Sequence, residues 1–162
     1  MTSGTTGDPH IRRATAGDTP TLSVIAQAAK AHWGYPAEWL ARWEPGLTFV
    51  PADLDRFEIY VIEEAGRTLG FSATLAGTPR WILDHLWVLP EAMGRGLGRR
   101  LVAHALARAT AAGAVGLEIE SDPNAEDFYR RLGARRVGWS TAAVPGAADR
   151  RLPRLELDRI PT

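Results

Sequence analysis

The chain has 162 residues, 45% of them hydrophobic and 23% charged, values of a globular domain long enough to bury its own core. Nineteen basic residues balance nineteen acidic ones, which excludes a global field drawing it to nucleic acid or to an anionic membrane. It has no cysteine, which removes disulfides, thiolate nucleophiles and thiolate metal sites together.

Residues 1–9 are polar and read as a flexible tail, and 10–160 as one folded domain without repeat or linker. A first strand is predicted over 10–15. Asp18-Thr19-Pro20 opens a helix, because proline is pre-set for the first turn, and apolar spacing carries it to about residue 31. A second helix is expected over 36–43, and Pro51-Ala52-Asp53 begins a short turn. Segments 57–63 and 68–76 read as a hairpin joined near Ala65-Gly66. The next strand is 81–89. A helix over 97–112 has Leu97, Leu101, Ala105, Leu106 and Ala109 on its apolar face and ends at Gly113. Then come a strand over 115–120, a helix over 125–132, and two closing strands, 135–141 and 152–157, around a Pro/Gly-rich loop at 145–150. No apolar stretch approaches the roughly 20 residues of a membrane span, and no signal-peptide core is present, so a soluble, cytoplasmic protein is expected. Eighteen of the nineteen basic residues are arginine, the usage of a GC-rich bacterial genome.

Between the 81–89 strand and the 97–112 helix stand three alternate glycines, Gly94, Gly96 and Gly98. A strand that feeds such a turn into a helix N-terminus makes an anion site. Backbone N–H groups point outward, the helix dipole favours negative charge, and missing Cβ atoms allow close approach. Arg95, Arg99 and Arg100 add positive charge. A dinucleotide fingerprint is excluded because Arg99 stands where its third glycine would fall. A Walker loop is excluded because the only lysine in the chain is Lys30. The turn therefore implies a phosphate-bearing ligand, best a pyrophosphate.

Residues 86–101, Leu-Trp-Val-Leu-Pro-Glu-Ala-Met-Gly-Arg-Gly-Leu-Gly-Arg-Arg-Leu, resemble the acetyl-CoA motif Val-x-Pro-x-x-Arg/Gln-Gly-x-Gly-x-Gly of the GCN5-related N-acetyltransferases, the GNAT family. Residues 125–134 are similar to the Ala-x-x-Phe-Tyr-x-x-x-Gly segment that follows it there, in the same order and separation. The resemblance extends loosely over 10–157. It implies a single α/β domain with a central mixed, mostly antiparallel sheet flanked by helices, in the order β-α-α-β-β-β-α-β-α-β-β. It also implies acetyl-CoA as co-substrate, a small-molecule or protein amine as acceptor, and room for a homodimer through the last strands. Two positions depart from the pattern. Met93 replaces the usual Arg or Gln, leaving backbone amides and Arg95 to hold the phosphates. Asp122 occupies the slot of an asparagine, and Asn124, next to Ala125, either contacts the cofactor or caps the helix.

The resemblance assigns cofactor binding to Leu86, Trp87 and Val88 along the pantetheine arm, to Met93, Gly94, Arg95, Gly96, Leu97, Gly98 and Arg99 at the pyrophosphate, and to Asn124. Acyl transfer from a thioester needs a neutral amine, a stabilised oxyanion and a protonated leaving thiolate. Tyr129 is the implied acid, since a phenol of pKa about 10 can protonate a thiolate of reference pKa near 8.5. A purely packing role for Phe128 and Tyr129 is the alternative. Asp84, Glu118 and Glu120 lie on the strands that should flank the cofactor, with Asp84 and Glu120 the candidate bases and water the substitute. Alternation puts Asp84 with Leu86 and Val88, puts Glu118 and Glu120 together, and turns His85 with Trp87 to the other face. In Lys30-Ala31-His32-Trp33-Gly34-Tyr35, with Trp39 and Trp43 beyond, His32, Trp33 and Tyr35 are the candidate acceptor-binding residues, unless these aromatics only pack helices on the sheet. The four histidines lack metal-ligand spacing, so no metal is expected. A non-catalytic CoA-binding module is the competing reading. A toxin acting on charged tRNA is disfavoured by the charge balance.

Overall fold

The computed structural model describes residues 7–142 and 150–162. Residues 1–6 of the predicted tail and nearly all of the predicted loop at 145–150 lie outside them. The strands are β1 (His10–Arg13), β2 (Glu58–Glu64), β3 (Arg67–Leu75), β4 (Trp81–Val88), β5 (Leu117–Glu120), β6 (Arg135–Thr141) and β7 (Arg151–Leu157). The helices are α1 (Thr19–Ala31), α2 (Ala37–Trp43), the single turn α3 (Asp53–Arg56), α4 (Leu97–Ala111) and α5 (Glu126–Arg131). One seven-stranded sheet runs β1-β2-β3-β4-β5-β7-β6, antiparallel everywhere except between β4 and β5. This is the mixed sheet expected, with α3 added where only a turn was foreseen. Ala65 and Gly66, at φ 51° and 79°, make the two-residue turn between β2 and β3, as a type I′ hairpin requires.

The register assigns the faces. The Tyr60 ring on β2 meets that of His104 on α4 at 4.3 Å, tilted by 55°, so Tyr60, its partner Ser72 and the next partner Leu86 face α4. Val61, Phe71 and Trp87 face the other way, toward α1, and Phe49 packs edge-on to Phe71 at 5.1 Å. Each face buries its own core. Leu22 and Ile25 of α1 cluster with Ile59, Val61 and Phe71. Val102, Ala105 and Ala109 of α4 cluster with Trp81, Leu83, Leu117, Ile119 and Leu155. Truncating a wholly buried ring such as Phe71 would cost about 3–5 kcal/mol.

Alternation alone misplaces half of β4. Thr74 pairs with Leu83 and Ala73 with His85, which leaves Asp84 as a bulge with no opposite residue. Trp81 and Leu83 are thereby returned to the α4 face with Leu86 and Val88, where strict parity would have put them with His85. Beyond the bulge β4 leaves its parallel neighbour. Only Trp81↔Leu117 and Ile82↔Glu118 pair across β4 and β5.

Candidate active site

Where β4 and β5 part, a cleft of about 460 Å³ opens between them. Leu83, Leu86 and Val88 line it from the α4 face with Gly98, Phe128 and Tyr129. Trp87, Glu120, Ala29 and Trp33 line it from the α1 face. The cleft therefore passes through the plane of the sheet, with the glycine turn at one end and the end of α1 at the other.

The glycine end is built from backbone. Gly94 and Gly96 sit at φ 81° and 80°, a left-handed conformation that a side chain strains, and Gly96 caps α4. The first N–H groups of α4 have no partner within the helix and sit beside this turn. Gly98 lines the cleft and also serves packing: a Cβ there would lie 3.2 Å from Phe128. Met93 and Arg99 line the cleft, as does Leu97. Arg95 does not, since its guanidinium is drawn to Glu64 at 2.6 Å.

Midway stand the candidate acid and bases. Tyr129 is buried yet borders the cleft, and among the described residues no hydrogen bond ties down its hydroxyl. Burial and then the charge of Asp122 push its pKa above the ordinary phenol value. Asp84 also lines the cleft, its Oδ2 at 3.3 Å from His85 Nε2. Trp87 Nε1 donates to His85 Nδ1 at 3.0 Å, so the ring proton belongs on Nε2, toward Asp84. Burial holds the His85 pKa below its usual value and keeps the ring neutral. Phe49 and Phe57 wall it in, at 4.9 and 5.7 Å, on the face away from Leu86, as parity indicated. Glu120 lines the cleft without an ion pair among the described residues, whereas Glu118, on the same face, is held by Arg154 at 3.0 Å away from it. The two glutamates share a face but not a site, because only the end of β5 reaches the cleft.

The α1 end is built from side chains. Asp122 accepts from Lys30 Nζ at 2.6 Å, from the Tyr35 hydroxyl at 2.8 Å, and from the backbone N–H and side-chain amide of Asn124 at 2.8 and 3.0 Å. Arg150 donates to the Tyr35 oxygen at 2.9 Å. Burial raises the Asp122 carboxyl, but Lys30, the Asn124 N–H and the Tyr35 hydroxyl together outweigh it and hold the group below the usual value. Burial lowers Lys30, and burial with Asp122 pushes Tyr35 up to about 12. Lys30 lies over Trp43 at 4.3 Å and Arg150 over the same ring at 5.0 Å. Of the three candidate acceptor residues, Trp33 lines the cleft at 40% exposure, Tyr35 is engaged in this network, and His32 is exposed beside Trp33 at 5.6 Å. Asn124 lines the cleft and also braces Asp122. The sequence did not reveal that Lys30, Asp122 and Arg150 converge. The one available signal was Asp122 in an asparagine slot.

Among the described residues no group of three or more histidines or carboxylates could hold a metal, and no helix is long and apolar enough to cross a membrane. Residues 55–133 match the acetyltransferase (GNAT) domain family. A blasticidin-S acetyltransferase of Streptomyces morookaense is 39% identical over 94 residues, which cover 55% of this chain and 69% of that protein. Among solved structures, a GCN5-related N-acetyltransferase from Rhodopseudomonas palustris superposes with a TM-score of 0.78 at 22% identity, covering 94% of this chain and 97% of that one. An N-acetyltransferase from Thermoplasma acidophilum, solved with coenzyme A, gives 0.73 at 16% identity, over 94% and 99%. At these identities the two structures speak for the fold.

Proposed function

The chain belongs to the GNAT family of acetyltransferases, and from that premise we propose that its cleft carries an acetyl group from acetyl-CoA to a primary amine of a small molecule or protein. The observation that carries this reading is the joining, in one cleft through the sheet, of the glycine turn at one end and the Tyr129 hydroxyl midway. Residues 10–160 are the catalytic unit in this reading. The pyrophosphate rests on the backbone from Gly94 to Gly98, with Arg99 the arginine that lines the cleft there. The pantetheine amides take up the edge of β4 at Leu86–Val88, which has no strand partner beyond Ile82 on that side, as though they added a strand. A backbone N–H of that edge polarises the thioester carbonyl.

The neutral amine enters past Trp33 and attacks the carbonyl carbon. The C–S bond breaks, and the thiolate takes the proton of Tyr129, which its buried setting keeps protonated at neutral pH. The proton lost by the amine passes to Asp84 or Glu120, or to water where neither is in reach, and Tyr129 is reprotonated from solvent. The products are an amide and free CoA thiol.

The test is CoA-thiol release in the presence of acetyl-CoA and a panel of amines: blasticidin S, spermidine and a peptide with a free N-terminus. Acetyl-CoA at 100 times its Kd should stabilise the protein by about 2.7 kcal/mol, roughly 5–10 °C in melting temperature, with NAD and ATP giving no shift. Absence of any shift with acetyl-CoA or CoA would sink the reading.

A further inference from the structure

Two walls of the cleft face each other at its α1 end. One is the end of α1, with Ala29 and Trp33; the other is the turn after β5, with Ser121, Asp122 and Asn124. A single ion pair spans them, Lys30 Nζ to Asp122 Oδ2 at 2.6 Å, with both side chains about nine-tenths covered. We propose that Lys30 and Asp122 are positioning residues, a lock that sets the width of this end of the cleft and so decides which acceptors reach the thioester. The proposal rests on the acetyl-transfer reading above and names a determinant of its acceptor specificity.

Two observations and one general argument support it. The pair is over-determined. Asp122 also accepts from Tyr35 and Asn124 and lies 3.5 Å from Arg150, and the ammonium is capped by Trp43 at 4.3 Å and Tyr35 at 5.0 Å, so each charge is held by several neighbours at once. Stability is also a poor reason for such a pair. Desolvating two charges largely cancels their attraction, and apolar replacements of similar size are often neutral or stabilising. Finally, the aromatic faces of Tyr35 and Trp43 are already occupied by the chain's own Lys30 and Arg150. An acceptor cannot use those rings as a cage, so the pair acts on the acceptor through the wall it fixes, beside Trp33 on the cleft.

Lys30→Met alone leaves the buried Asp122 carboxylate with Arg150, at 3.5 Å, as its remaining charged partner and will lower the melting temperature. The informative protein is therefore Lys30→Met/Asp122→Asn, which removes both charges and places at position 122 the asparagine of the resembled pattern. Steady-state kinetics with the best amine of the panel should show the acceptor KM raised about tenfold or more, while the acetyl-CoA KM stays within about twofold. Lys30→Arg should recover part of the acceptor KM. In the CoA-bound protein, hydrogen exchange at residues 31–35 and 121–125 should quicken together, with the glycine turn unchanged. A folded double variant with wild-type acceptor KM and wild-type exchange in both segments would overturn the proposal and leave the pair a fold contact only. If the wild type binds acetyl-CoA but acetylates no amine, the acetyl-transfer reading fails on its own. The exchange data then decide the lock: joint loosening sustains it, and independent or unchanged exchange ends it.

Discussion

The two ends of the cleft are made from different material. The glycine end is backbone: two left-handed glycines, a helix N-terminus, and a third glycine whose missing Cβ leaves room for Phe128. The α1 end is side chains that converge from distant segments, with Lys30 and Asp122 separated by 92 positions and Tyr35 and Arg150 by 115. The contrast carries a lesson about what each end can tolerate. A backbone site needs particular residues only where a Cβ would interfere, so its identity is fixed by a few glycines and its charged side chains are replaceable. A side-chain site depends on every partner, and can be retuned by changing any of them.

Breaking the backbone end should give the largest effect. Gly96→Asp puts a side chain at φ 80° and a negative charge at the helix N-terminus, so calorimetry should detect no acetyl-CoA binding. Normal binding by the folded variant would place the cofactor elsewhere. Tyr129→Phe, between the two ends, should lower kcat by about 10²-fold with acetyl-CoA affinity unchanged; unaltered turnover would remove Tyr129 from the chemistry. Gly98→Ala sets a methyl 3.2 Å from Phe128, which must give by a few tenths of an ångström, while the helix gains about 1 kcal/mol, so the two nearly offset and the melting temperature should move by only a few degrees. Acid should loosen the side-chain end first. The Asp122 carboxyl lies below its ordinary value in the fold, so the unfolded chain takes up that proton first. Its contribution is complete above about pH 4 and fades as pH falls toward the lower native value. Exchange at residues 121–125 should quicken over that window before exchange at 94–98 does. The smallest effect belongs to Arg95→Ala, which should change acetyl-CoA affinity by less than about twofold because Glu64 already holds the guanidinium.

Much of the fold was legible because periodicity and turn chemistry are local. Asp18-Thr19-Pro20 opened α1, Ala65-Gly66 made the hairpin, and Gly113 closed α4, each where its residues indicated. The Asp84 bulge was not legible, because an extra residue in a strand leaves the pattern of apolar positions almost unchanged while turning half the strand over. The same division runs through the site. Gly94 and Gly96 announce a conformation that only glycine adopts easily. Nothing local in Lys30, Asp122 or Arg150 announces their meeting, nor does anything local in Arg95 announce its ion pair with Glu64 on another strand. Of the candidate acceptor residues Trp33 lines the cleft, while the Tyr35 hydroxyl and ring are taken by Asp122, Lys30 and Arg150, neighbours that spacing along the chain does not disclose.

The protein's single lysine is spent inside the ion pair with Asp122, and every other fixed side-chain cation is an arginine. An enzyme that works beside a reactive thioester thus carries no exposed lysine amine of its own to be acetylated in place of its substrate. Amine-directed labels find no exposed lysine to mark.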